Sequence, residues 1–144
     1  MTGTLIARVR TLINANVSEV WKAITTPDTI RKYLLGANVT STWKEGAPIV
    51  YKGEYNGKSY EDKGTILEFS PNHRLRSTYW SSMGGKEDLP ENYNTVTYLL
   101  EEKGNTTELT LTQDNITSDK ERENMISNWT SVLAKLKEVV ESGG

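Results

Sequence analysis

Residues 4–13 alternate between apolar and polar positions. Leu5, Ala7, Val9, Thr11 and Ile13 fall on one side, with Arg8 and Arg10 on the other. This spacing predicts a half-buried strand. The period then lengthens: Val17, Val20, Trp21 and Ile24 recur at helical spacing, and Asn14 and Asn16 upstream are candidate caps. A second short helix is predicted from "TPDTIRKYLL". Thr26 is its candidate cap, Pro27 its first residue and Asp28 its acidic first turn. Ile30, Tyr33 and Leu34 form its apolar face, and Gly36 supplies a stop.

Beyond residue 38 the period returns to two. Val39, Ser41 and Trp43 alternate. "IVYKGEY" and "KSYEDKGTILEF" flank Asn56-Gly57, the strongest short hairpin signal. "RLRSTYW" follows the turn "SPNH", and "YNTVTYLLEE" and "TTELTLTQD" flank "KGN". Residues 81–92, rich in Gly, Ser and charge, read as a loop. Near the C-terminus the helical period reappears. Met125, Ile126, Trp129, Val132, Leu133, Leu136 and Val140 make one stripe, and Ser118 or Asp119 is placed to cap it.

The predicted order is a strand, two short helices, about six antiparallel strands and one long helix. That is an α+β fold in a single domain spanning residues 1–144, with a curved antiparallel sheet of about seven strands around the C-terminal helix. Burying each stripe side chain contributes about 1.5–3 kcal/mol, so the long helix should dock. Its partner must be the sheet, because the other helices are too short to cover it. A sheet of this size twists and curls, and a straight helix laid in it leaves space along part of its length. The strand faces expected to point inward carry Tyr51, Gly53 and Tyr55, then Tyr60, Gly64 and Ile66, then Leu75, Ser77 and Tyr79, then Val96, Tyr98 and Leu100. Glycine inside a strand signals a sharp bend or a close approach.

Composition narrows the function classes. The chain has 144 residues and a net charge of -2, which argues against a nucleic-acid partner. Cysteine is absent, so disulfides, thiol nucleophiles and cysteine-ligated metals are excluded. Arginines interrupt the apolar N-terminal pattern, so no export signal is read there, and no stretch approaches a membrane span. A cytoplasmic protein is expected. Four Trp and seven Tyr stand against one Phe, a set suited to surfaces half dry and half wet.

Several segments, in order and spacing over nearly the whole chain, carry a resemblance. "ANVSEVWKAITTPDTIRKYL", "TWKEG", "KGTILEFSPNHRL", "TELTLTQ" and "NWTSVLAKLKEVVE" resemble the START-like (SRPBCC, helix-grip) superfamily. More narrowly, they resemble the family named for the C-terminal domain of the activator of the heat-shock-protein-90 ATPase. Departures are Asn16 for a frequent proline, Tyr33 for a frequent tryptophan, Gln113 for a common histidine and Asn128 for a glycine.

The resemblance implies a pocket between sheet and long helix, open near the two short helices and the 81–92 loop. The expected lining is Tyr33, Trp43, Tyr51, Tyr60, Tyr79, Tyr98, Met125 and Trp129. The alternative is that these side chains simply fill the core. Buried tyrosine hydroxyls need partners, and pockets combine aromatic walls with a few polar groups, which favours the cavity. Glu68 is the candidate polar anchor. By alternation from Gly64 and Ile66 it faces inward unless a bulge near Phe69 turns it to solvent.

His73, the one histidine, sits in a turn and reads as solvated. No metal-ligand spacing, Gly-rich phosphate loop or nucleophile elbow is present, and no cofactor or catalytic residue is expected. The first functional reading is therefore non-catalytic binding of a hydrophobic or aromatic small molecule. A protein-interaction module with a chaperone partner is the second, as the resemblance implies. A cyclase- or hydrolase-like enzyme using the same cavity is the third. Monomer and homodimer both remain open.

Overall fold

The computed structural model describes residues 3–34, 36–82 and 84–143. The chain runs β1 (Leu5–Ile13), α1 (Val17–Thr25), α2 (Pro27–Tyr33), β2 (Asn38–Ser41), β3 (Pro48–Tyr55), β4 (Lys58–Ser70), β5 (Arg74–Ser81), β6 (Asn94–Lys103), β7 (Thr106–Ile116) and α3 (Asp119–Glu141). The strands form one antiparallel sheet in the order β1-β7-β6-β5-β4-β3-β2. This is the helix-grip arrangement that the residue pattern and the resemblance both imply. A single-turn 3-10 helix at Pro90–Asn92 is an addition.

Local chemistry explains the element ends. Asn16 caps α1: its side chain accepts from the Glu19 N–H at 3.0 Å. Thr26 occupies the cap position of α2, but its side chain makes no capping bond; Pro27 fixes the first turn instead. Gly36, at φ 76°, donates its N–H to the Arg31 carbonyl at 3.1 Å and closes α2 as a left-handed cap. Ser118 caps α3, accepting from the Glu121 N–H at 3.1 Å. Asn56 and Gly57, at φ 51° and 78°, have the two positive dihedrals that a tight hairpin matched to strand twist requires.

The long helix seats unevenly. Leu133, Leu136 and Val139 in its C-terminal half are buried, whereas Met125, Ile126 and Trp129 nearer its start are only partly so. Val139, rather than the expected Val140, is the buried position of the last turn, and Val140 is partly buried. This half is also tied to β1. Lys137 Nζ donates to the Leu12 carbonyl at 2.8 Å, and Glu141 accepts from the Asn14 N–H at 2.8 Å. Along that line the core closes around Val9, Ile13, Leu109, Leu111, Leu133 and Leu136.

Two glycines leave no room for a side chain. A Cβ on Gly64 would lie 1.7 Å from the Thr78 carbonyl oxygen, and one on Gly53 would meet the Tyr60 ring, 2.5 Å from its hydroxyl oxygen. Both were expected to mark close approaches, and both do. Arg8, Arg10 and Arg76 lie on the exposed face. The side chain of Tyr55, and Met83 within the 81–92 loop, lie outside the described residues. Among the described residues, no helix is long and apolar enough to cross a membrane.

Candidate functional site

Where the first half of α3 stands off the sheet, a hollow of about 480 Å³ remains. That volume lies within the usual range of about 300–1,000 Å³ for small-molecule pockets. Tyr51, Tyr60, Tyr79 and Tyr98 line it from the strands, and Trp129 and Val132 from α3. Ser77 and Val96 form part of its sheet wall, and Leu34 and Ala37 approach from the end of α2. The rings pack edge to face. Tyr51 and Tyr79 have centroids 5.9 Å apart at 74°, and Tyr98 and Trp129 6.3 Å apart at 88°. Such pairs fix ring orientation while leaving ring faces for a guest.

The carboxylate in the wall of the hollow is Asp62. It is 9% exposed, and one carboxylate oxygen accepts from the Tyr79 hydroxyl at 2.5 Å while the other accepts from the Ser82 N–H at 3.3 Å. Burial raises the phenol pKa of Tyr51 and of Tyr79 above the ordinary value, and the Asp62 charge raises both further. Burial, then the neighbouring Tyr51, does the same for Tyr98. These side chains therefore remain neutral hydroxyls at physiological pH. The hydroxyls of Tyr51 and Tyr98 make no hydrogen bond among the described residues, and both side chains face the hollow.

A second hollow of about 510 Å³ adjoins the first. Leu34, Tyr79, Trp129 and Val132 serve both. Met125 belongs to the second, together with Gln113, Asn94, and Lys86 and Glu121, which pair at 3.6 Å. The Trp129 indole N–H donates to Gln113 Oε1 at 2.6 Å. Gln113 is buried, so replacing it with leucine would strand that N–H. Gln113→Leu should cost about 1–3 kcal/mol in urea denaturation and shift the tryptophan emission.

The structure thus brings Tyr51, Tyr60, Tyr79, Tyr98 and Trp129 together, with Met125 next door. Three expected residues are not part of the described lining, although burial and then the neighbouring Tyr98 and Tyr51 raise the phenol pKa of Tyr33. Tyr33 is a core residue whose hydroxyl donates to the Ala23 carbonyl at 3.3 Å, pinning α2 to α1. Trp43 follows β2 at φ 58° and packs partly buried against the core. Glu68 is displaced by a register shift between Ile66 and Glu68. It stands opposite Arg76 and accepts from Arg74 Nη1 at 3.4 Å, a pair in which each side chain is about one-third exposed. Asp62, the carboxylate in the wall, was missed although counting by twos from Tyr60 to Gly64 passes through it.

A family model described as Activator of Hsp90 ATPase homolog 1-like protein matches residues 14–141. Among curated proteins, no sequence matches. The chain is similar to ChR145 from Cytophaga hutchinsonii, known from a solution structure. Identity is 46%, the match covers 99% of this chain and 97% of that one, and the TM-score is 0.85. It shares its fold with Aha1 from Colwellia psychrerythraea, whose solution structure is a dimer: 21% identity, 97% and 98% coverage, TM-score 0.75. It also shares its fold with DynU16, a protein of the dynemicin biosynthetic locus: 19% identity, 96% of this chain but 48% of that one, TM-score 0.80.

Proposed function

The chain belongs to the Activator of Hsp90 ATPase homolog 1-like family, and within it we propose a binding protein that holds a hydrophobic or aromatic small molecule between sheet and α3, without catalysis. One observation carries this reading: an aromatic hollow into which Tyr51 and Tyr98 present hydroxyls that no described residue satisfies. Both hydroxyls are reachable from the hollow with donor and acceptor sites unused, so they suit a guest with hydrogen-bonding groups. The origin of DynU16, a neighbour in fold, in a biosynthetic locus accords with a small-molecule partner.

Thermal-shift and native mass spectrometry against lipids, flavonoids and aromatic metabolites test the proposal. At least one compound should raise the melting temperature and travel with the protein as a one-to-one complex. Val132→Trp, which places an indole on the wall common to both hollows, should abolish that shift while the variant still melts cooperatively. Unchanged binding in Val132→Trp would locate the guest elsewhere.

Self-association is a second reading. The dimer formed by the Colwellia Aha1 favours it, as does the exposed face of β1, where Ile6 and Leu12 are each about half exposed beside Arg8 and Arg10. Light scattering across a concentration series distinguishes dimer from monomer.

A further inference from the structure

The charges around the first hollow are unbalanced. Among the described residues two carboxylates line it, Asp62 in its wall and Glu54 at its exposed rim, and no Lys, Arg or His does. The cations nearest in sequence are engaged elsewhere: Lys52 pairs with Glu61 at 3.7 Å and Lys63 with Asp88 at 2.5 Å. Lys86, in the adjoining hollow, is held by Glu121. The hydrogen bonds that Asp62 accepts come from two neutral donors, the Tyr79 hydroxyl and the Ser82 N–H. Among the described residues Asp62 forms no ion pair.

A carboxylate withdrawn from water without a cation is costly, and hydrogen bonds offset that cost only in part. A carboxylate has about four lone-pair sites, so two remain after these bonds. The Asp62 charge acts on Tyr51, Tyr60 and Tyr79, and the rings of Tyr98 and Trp129 line the same hollow. Aromatic faces carry negative potential and attract cations, with tryptophan the strongest of the three ring types. The free hydroxyls of Tyr51 and Tyr98 can accept from an ammonium N–H. Charge, ring faces and acceptors all favour a positive guest and disfavour an anionic one, while the apolar remainder of the wall demands a greasy body.

We infer that the ligand of this hollow is a hydrophobic organic cation, an amine or quaternary ammonium on an apolar or aromatic body, with its positive end beside Asp62 and among the tyrosine faces. This rests on the proposed binding function and specifies its ligand class.

A size-matched pair separates the two claims. Benzyltrimethylammonium and neopentylbenzene differ by nitrogen for carbon, hence by one positive charge. Both are titrated into the full chain, and binding is followed by amide chemical-shift changes at the residues lining the hollow and by Trp129 emission. Benzyltrimethylammonium should bind about tenfold tighter or better, the scale of a cation over desolvated rings. In Asp62→Asn, which keeps an acceptor for Tyr79 but removes the charge, the preference should fall to within about threefold. Glu54→Gln at the exposed rim should reduce it less.

Equal or weaker binding of the cation overturns the inference, while the neutral compound's occupancy leaves the binding function standing. A preference that survives Asp62→Asn intact overturns the role given to Asp62. Absence of shifts at the lining residues with both compounds overturns the inference, and the small-molecule reading is then decided by the panel of lipids, flavonoids and aromatic metabolites. The wild-type comparison decides the charge question even where Asp62→Asn fails to fold.

Discussion

Gly64→Ala is expected to cost about 3 kcal/mol or more and to lower the thermal midpoint by roughly 10 °C. The added methyl would meet backbone, 1.7 Å from the Thr78 carbonyl oxygen and 2.5 Å from its carbon. Neither atom can swing aside, because β4 and β5 are clamped here. The Thr65 N–H donates to Thr78 Oγ1 at 2.8 Å, and pairing resumes on both sides at Lys63–Trp80 and Ile66–Ser77. Relief would require the two strands to part at the bend that curls the sheet over the hollow. Gly53→Ala is the control. Its neighbour is the far end of the Tyr60 side chain, which can rotate away, so the loss should stay under about 1.5 kcal/mol. Calorimetry on both variants measures the difference. A Gly64→Ala protein within about 1 kcal/mol of wild type would mean that the strands do not approach this closely.

Leu136→Ala should cost about 2–5 kcal/mol, since it removes a side chain with no solvent exposure from a closed part of the core. Met125→Ala, about three turns earlier on the same stripe, should cost less than about 1 kcal/mol, because that side chain is partly exposed beside the second hollow. Urea denaturation of the two variants measures how far α3 is seated along its length. Similar losses at both positions would show a helix packed evenly from end to end, and the space described beneath its first half would not exist.

Much of this arrangement was legible in the order of the residues. Periods of two and 3.6 separated strands from helices, and Asn56-Gly57, "SPNH" and "KGN" marked the hairpins because positive dihedrals at Asn56, Gly57, Asn72 and Gly104 need such residues. The strand tyrosines of the hollow followed from alternation alone. What alternation could not give was a change of register. The displacement of Glu68 arises in the pairing of β4 with β5, where Ile66 stands opposite Ser77 but Glu68 opposite Arg76, and that depends on both strands at once. The missed carboxylate has another origin. Asp62 sits on the inward face of β4, a position where a carboxylate is disfavoured unless partners await it, and those partners, Tyr79 and Ser82, are 17 and 20 residues away. Tyr33 and Tyr98 look alike in sequence. One is consumed by the α1–α2 contact and the other opens on the hollow, a distinction set by the tertiary partner that each meets.

The partition formed by Leu34, Tyr79, Trp129 and Val132 has two sides, and each belongs to a different compartment. Any displacement of those side chains by a molecule entering one compartment alters the dimensions of its neighbour. Two small guests would therefore bind with reciprocal coupling, each changing the other's affinity by the same factor. A single elongated guest that pushes the partition aside would instead treat both compartments as one tunnel.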